Sequence, residues 1–135
     1  MNNPRIEPAE AVDQLAHEVV AAALEVHKNI GPGYLESVYE EALCVELQLR
    51  GIPFERQRPV LVNHKGHPVG EGRVDLLVGG CLVVELKAVD SLASIHTAQM
   101  ISYLKATRLH LGLLINFNVQ LLKDGIKRVV LSQVL

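Results

Sequence analysis

The chain has 135 residues, 49% of them apolar and 21% charged, with a mean hydropathy of +0.22 and a net charge of −2. That length makes one domain able to bury roughly two-thirds of its unfolded surface, and that composition excludes intrinsic disorder, so no disulfide or metal staple is needed for folding. No apolar run reaches the roughly 18 residues of a membrane span and the opening MNNPRIEPAE lacks the apolar stretch of a signal peptide, so a cytoplasmic protein is expected.

In chain order, Val12, Leu15, Val19, Ala22 and Val26 follow the spacing of an amphipathic helix over 12–29, which Gly31-Pro32-Gly33 ends. Residues 1–10 are expected to be flexible. Leu35, Val38, Ala42, Val45 and Leu49 repeat the spacing, predicting a second helix from about Tyr34 to Arg50 that ends at Gly51. After Pro53 come FERQRPVLV, the turn NHKGH, GRVDLLV, the pair Gly79-Gly80 and CLVVELK, which read as a three-stranded antiparallel meander. A third helix spans about Ser94 to Thr107, with Ser94 as N-cap and Ile95, Ala98, Ser102 and Ala106 on one stripe. LHLGLLIN, VQLL and IKRVVL then read as further strands, LGLLI apolar on both faces and hence central. The order is ααβββαβ with a β tail, an α/β fold with a mixed sheet.

Residues 1–50 hold nine acids and three bases, while 51–135 hold six acids and ten bases, so a basic surface belongs to the later part. With 4% aromatic residues and no Trp, a base-stacking platform is disfavoured, and nucleic-acid contact would run through phosphates. Arg56, Arg58, Lys65, Lys105 and Arg108 are candidates for that role, against the alternative of a solvated polar face. Cys44 and Cys81 sit in apolar runs without metal-ligand spacing, as buried free thiols do.

Asp75, Glu85 and Lys87 interrupt two otherwise apolar strands, VDLLV and VVELKAV. Burying a charge costs several kcal/mol unless it is paired or binds a metal, so the three need a reason. Glu85 and Lys87, two apart, share a strand face. Two carboxylates holding a hard divalent cation with a lysine beside them form a phosphodiester-cleaving arrangement. A structural ion pair across a hairpin is the alternative, and the three residues alone divide evenly between the two. Gln99 and Tyr103 share a face of the third helix, and Glu36 and Tyr39 lie three apart on the second. Arg73 is weighed as a surface ion-pair partner against a phosphate contact, and His96 as an exposed helix-start histidine against a phosphate or metal contact.

The succession Gly72-x-x-Asp75, Glu85-Leu86-Lys87, Gln99-x-x-x-Tyr103 resembles the PD-(D/E)XK nuclease superfamily in its RecB-like exonuclease branch, and Gly33-x-x-Glu36-x-x-Tyr39 resembles its GxxExxY family. Val74 stands where a proline often precedes the first acid of that pattern. The resemblance covers about 15–130. It implies a restriction-endonuclease-like αβββαβ core filling one domain over 1–135. It implies Mg²⁺ or Mn²⁺ held by Asp75, Glu85, Glu36 and the Leu86 carbonyl, with Lys87 beside the attacking water. Gln99 and Tyr103 would position nucleic acid or the site, and Tyr39, Arg73 and His96 are candidate phosphate contacts. The expected activity is metal-dependent hydrolysis of DNA, with RNA less favoured. The alternatives are a non-catalytic nucleic-acid- or protein-binding module on the same fold, and a subunit active only as a homodimer or beside a larger DNA-processing partner.

One geometric condition decides whether a single ion can be shared. A strict two-residue Gly79-Gly80 turn would put Asp75 and Glu85 on opposite faces; a three-residue loop, Gly79 to Cys81, or a bulge near Asp75 would set them opposite one another. The glycines at 72, 79 and 80 favour the distorted form.

Overall fold

A computed structural model describes residues 8–132. The first helix, α1 (Glu10–Ile30), carries Glu10 and Asp13 in its first turn and His27 and Lys28 in its last, each sign at the end of the helix dipole that favours it. It buries Ala16, Val19, Ala22, Ala23 and Val26, as its periodicity predicts, and stops at Gly31 with φ 68°. Of the segment 1–10 expected to be flexible, residues 1–7 lie outside the described residues and Glu10 already belongs to α1.

The second helix, α2, runs Glu36–Leu49, and the stripe whose spacing predicts it is not the one it buries. Tyr39, Leu43, Cys44 and Leu47 are buried, whereas Leu35 and Leu49 are each 76% exposed and Val38 and Val45 also face solvent. The helix carries two apolar stripes, and long-range contacts choose between them. The Tyr39 ring stacks on Phe117 with centroids 4.5 Å apart, and its hydroxyl donates to the Gly31 carbonyl at 2.7 Å, so the 39/43/47 stripe is the one drawn inward.

The sheet contains β1 (Phe54–His64), β2 (His67–Val78), β3 (Leu82–Lys87), β4 (Leu111–Asn116) and β5 (Ile126–Val130), in spatial order 1-2-3-4-5. The first three form the predicted antiparallel meander; β3 and β4 are parallel, joined by α3 (Ser94–Thr107), and β5 returns antiparallel. A parallel pair needs such a crossover. All six residues of β4 are buried, consistent with its interior place. VQLL is not a strand: the chain bends there and makes a short 3₁₀ turn at Leu122–Gly125.

The helix α3 spans the predicted residues but is turned about its axis. Met100 and Leu104 are buried, while Ile95, Ala98, Ser102 and Ala106 are exposed. A stripe of two small residues, one serine and one isoleucine has less apolar area to remove from water than Met and Leu, and loses. The residue preceding the helix is Ala93, not Ser94; its N–H donates to Nδ1 of His96 at 2.9 Å.

Two cores result. α1 and α2 cover the sheet face bearing Leu76, Val84, Leu86 and Leu113, and α3 covers the face bearing Val60, Val74, Leu77 and Leu114. Val74 and Leu76 are two apart yet face opposite cores, which a regular strand forbids. The strand pair is therefore distorted at Asp75, and across from it Gln57 takes φ 49°.

Candidate active site

The hairpin between β2 and β3 sets the site. Val78 pairs with Leu82, Leu77 with Val83 and Leu76 with Val84, so the connecting loop is Gly79-Gly80-Cys81. Gly79 and Gly80 have φ 60° and 70°, a left-handed backbone that costs glycine little. This is the three-residue loop expected above, and its register brings Asp75 opposite Glu85. At that level side chains replace the ladder: the Asp75 N–H donates to Glu85 Oε1 at 2.9 Å, and the Leu86 N–H donates to Asp75 Oδ2 at 2.8 Å. Each carboxylate is thus fixed by one oxygen. Lys87 Nζ lies 4.0 Å from Glu85 Oε2, at the far limit of an ion pair.

Glu85 is 4% exposed. Burial raises its pKa, and the neighbouring Asp75 carboxylate raises it further, to about 8, against the lowering effects of the Asp75 N–H and Lys87. A desolvated carboxylate beside a second one calls for positive charge that a lysine at 4.0 Å only partly supplies.

Glu36 opens α2 at the edge of this cluster. Burial raises its pKa and Asp75 adds to the rise, while Lys87 lowers it. The loop before it is held by Tyr39, whose hydroxyl donates to Gly31 O and accepts the Tyr34 N–H at 3.2 Å. Tyr39 is fully buried and so is not a phosphate contact; it positions the loop that presents Glu36.

From the other face, α3 brings Tyr103 over Gly72. A Cβ at position 72 would lie 2.8 Å from the Tyr103 ring, so only glycine lets the ring cross the strand here. Burial raises the Tyr103 pKa and Glu85 raises it further, with the Arg73 N–H and the Gln99 side chain beside its oxygen acting in the opposite sense. Gln99 is exposed one turn earlier. Asp75, Glu85, Lys87, Glu36, Tyr103 and Gln99 therefore gather at one end of the sheet.

Two further candidates fall out. The Arg73 guanidinium is 60% exposed and 3.7 Å from Glu71, a surface ion pair. His96 caps α3 through Nδ1. Two of the basic candidates on the first hairpin are also occupied, Arg56 by Glu40 and Glu41 at 2.8 and 2.6 Å and Arg58 by Glu55 at 2.5 Å. Cys44 is buried as expected, which pushes its thiol up to about 11, and Cys81, in the loop, is only partly buried.

Sequence reasoning missed two supports. Gln57 donates to Glu40 Oε1 at 2.6 Å and reaches toward Asp75 Oδ1 at 3.4 Å, tying β1 to the site. Asn116, 1% exposed, donates to Val89 O at 2.9 Å and accepts the Val89 N–H at 3.1 Å, fixing the segment after Lys87. Its signal was available: a lone amide closing the apolar strand LGLLIN must find partners if buried.

The donor chemistry suits a hard divalent cation. Asp75 and Glu85 offer carboxylate oxygens, and the Leu86 carbonyl lies on the same strand edge as the N–H that meets Asp75. Among the described residues no three His, Cys, Asp or Glu side chains stand close enough together to hold an ion. Glu36 stands at the edge of the pair, near enough for its charge and that of Asp75 to act on one another.

A family model of the PD-(D/E)XK nuclease superfamily matches residues 13–129, and the chain belongs to that superfamily. The five-stranded mixed sheet flanked by helices is that of a restriction-endonuclease-like fold. No curated protein and no solved structure matches the chain. No helix among the described residues is long and apolar enough to cross a membrane.

Proposed function

We propose that the protein is a metal-dependent nuclease that hydrolyses DNA phosphodiesters, with RNA the less favoured substrate. It is a GxxExxY-type member of the RecB-like branch, acting as one domain over 1–135 in the cytoplasm. One observation carries the reading: Asp75 and Glu85 face each other across the Gly79–Cys81 loop, each fixed by one oxygen, with Lys87 beside Glu85.

Asp75, Glu85 and the Leu86 carbonyl would hold Mg²⁺ or Mn²⁺, which supplies positive charge to the scissile phosphate and acidifies water. Lys87 Nζ orients the attacking water, its hydrogen bonding fixing the oxygen lone pair toward phosphorus. The water oxygen bonds to phosphorus, the bridging P–O bond breaks, one water proton passes to solvent, and the departing oxygen takes up a proton. Tyr103 and Gln99 donate toward non-bridging phosphate oxygens from the α3 side, and Glu36 adds negative charge that strengthens the pull on a cation.

The test is cleavage of end-labelled single- and double-stranded DNA in EDTA, Mg²⁺ and Mn²⁺. Cleavage only with metal, lost in Lys87→Ala and Asp75→Asn, supports the reading; cleavage undiminished in both variants refutes it. A second reading, a subunit acting as a homodimer or with a larger DNA-processing partner, is favoured by the exposed stripe of α2, where Leu35 and Leu49 are each 76% exposed.

A further inference from the structure

β1 and the C-terminal half of α3 form a groove built of two adjoining hollows, of about 490 and 520 Å³, which share Val60, Leu61, Asn63 and Ala106. Tyr103 forms one end wall, and its ring packs on Gly72 of β2, the strand that carries Asp75, so this end of the groove adjoins the candidate active site. Its rim carries Lys105 and Arg108, both exposed and without an ion-pair partner among the described residues. No carboxylate lines either hollow. In a chain of net charge −2 this is a local concentration of uncompensated positive charge.

Arg108 adds a second, independent mark. It ends α3 in the left-handed conformation, φ 59° and ψ 35°, where glycine is favoured and a side chain with Cβ is strained. The Arg108 guanidinium has no ion-pair partner among the described residues, and the residue lines the groove.

We infer that this groove seats a single strand of DNA leading to the Asp75–Glu85 centre, its phosphates on Lys105 and Arg108 and its sugars and bases on the aliphatic floor of Val60, Leu61 and Ala106. The inference rests on the nuclease reading for the direction of the strand toward the carboxylates. Hollows of this size accommodate one or two nucleotides, not a double helix. With Tyr103 the one ring on the walls, stacking contributes little and the phosphate charge dominates, so binding depends steeply on salt.

The test is fluorescence anisotropy of a 5′-fluorescein dT12 and of a blunt 12-base-pair duplex in EDTA, across 50–200 mM NaCl. The proteins are wild type, Asp75→Asn and the double variant Lys105→Ala/Arg108→Gly. The double variant is expected to bind dT12 about ten-fold more weakly, with the slope of log K against log salt flatter by about 1.4, the release of two phosphate contacts. Wild type is expected to prefer dT12 to the duplex, and Asp75→Asn to bind dT12 at least as tightly as wild type. Because glycine suits the left-handed position and Lys105 is exposed, the double variant keeps or raises its melting temperature. Equal dT12 binding and equal salt slopes in wild type and the double variant would overturn the groove, as would a preference for the duplex. The two readings separate: groove variants that bind normally beside an Asp75→Asn that no longer cleaves leave the nuclease standing without the groove. Loss of dT12 binding in a protein that cleaves nothing with Mg²⁺ or Mn²⁺ leaves the groove without the nuclease.

Discussion

Glu85→Gln removes the ionisable group from the buried pair and keeps the shape and the acceptor that meets the Asp75 N–H. Burial, then Asp75, push the Glu85 carboxyl from 4.5 to about 8, so in the folded protein it holds its proton where the unfolded chain has lost it. Between about pH 4.5 and pH 8 the native state therefore binds more protons, and stability falls as pH rises through that window. Full stability is present below the unfolded pKa. The shift caps the loss on the order of 5 kcal/mol in metal-free buffer, a large share of a domain's total. Urea unfolding followed by far-UV circular dichroism in EDTA, at pH 5.5 and pH 8.5, reads it directly. Wild type should lose several kcal/mol between those points relative to Glu85→Gln, and millimolar Mg²⁺ at pH 8.5 should return much of it to wild type alone. Stabilities that run parallel across pH in the two proteins would refute the account of a repelling, desolvated pair.

Lys87→Ala should reduce metal-dependent cleavage by a factor of about 10² or more with an unchanged melting temperature, because the ammonium orients water and is only at the limit of pairing with Glu85; cooperative unfolding at much lower urea would mark it as structural instead. Tyr39→Phe should cost about 1–3 kcal/mol in urea titrations, since the Gly31 carbonyl and the Tyr34 N–H both lose their partner; no loss would mean the hydroxyl does not hold the loop. Leu43→Ala should cost about 2–5 kcal/mol and Leu49→Ala within about 0.5 kcal/mol in the same titrations, and equal costs would contradict the orientation of α2.

Element type was legible in the sequence because it depends on spacing, and spacing is local. Which face points inward was legible only where one apolar stripe existed. α1 has one, and Val19, Ala22 and Val26 were read correctly. α2 has two, 35/38/42/45/49 and 39/43/47, and periodicity cannot rank them, because the ranking comes from Phe117, far along the chain, which stacks on Tyr39. On α3 the 95/98/102/106 stripe that gives the period carries two alanines, a serine and one isoleucine, and the packing follows Met100 and Leu104. VQLL failed differently: its apolar residues suggested a strand, but the chain turns there to bring Leu122 into the core and Ile126 back against Ile115.

The carboxylate pair was legible because its cause lies within thirteen residues of chain. Two consecutive glycines in left-handed conformation make the loop three residues long, that length fixes the register, and the register decides that Asp75 meets Glu85 and not Val84. What holds the pair came from elsewhere and left little local trace. Gln57 enters from the neighbouring strand through a left-handed backbone that no turn signal announces, and Tyr39 shapes the Glu36 loop through a ring stack on Phe117. A buried pair of carboxyl groups persists when the backbone leaves it no other arrangement. Here Asp75 Oδ2 is bound to the Leu86 N–H and Glu85 Oε1 to the Asp75 N–H, so neither side chain can turn away without stranding a backbone donor. The fold therefore holds two carboxyl groups in a fixed arrangement, and a cation arriving there displaces the Glu85 proton and gains attraction without the cost of organising its ligands.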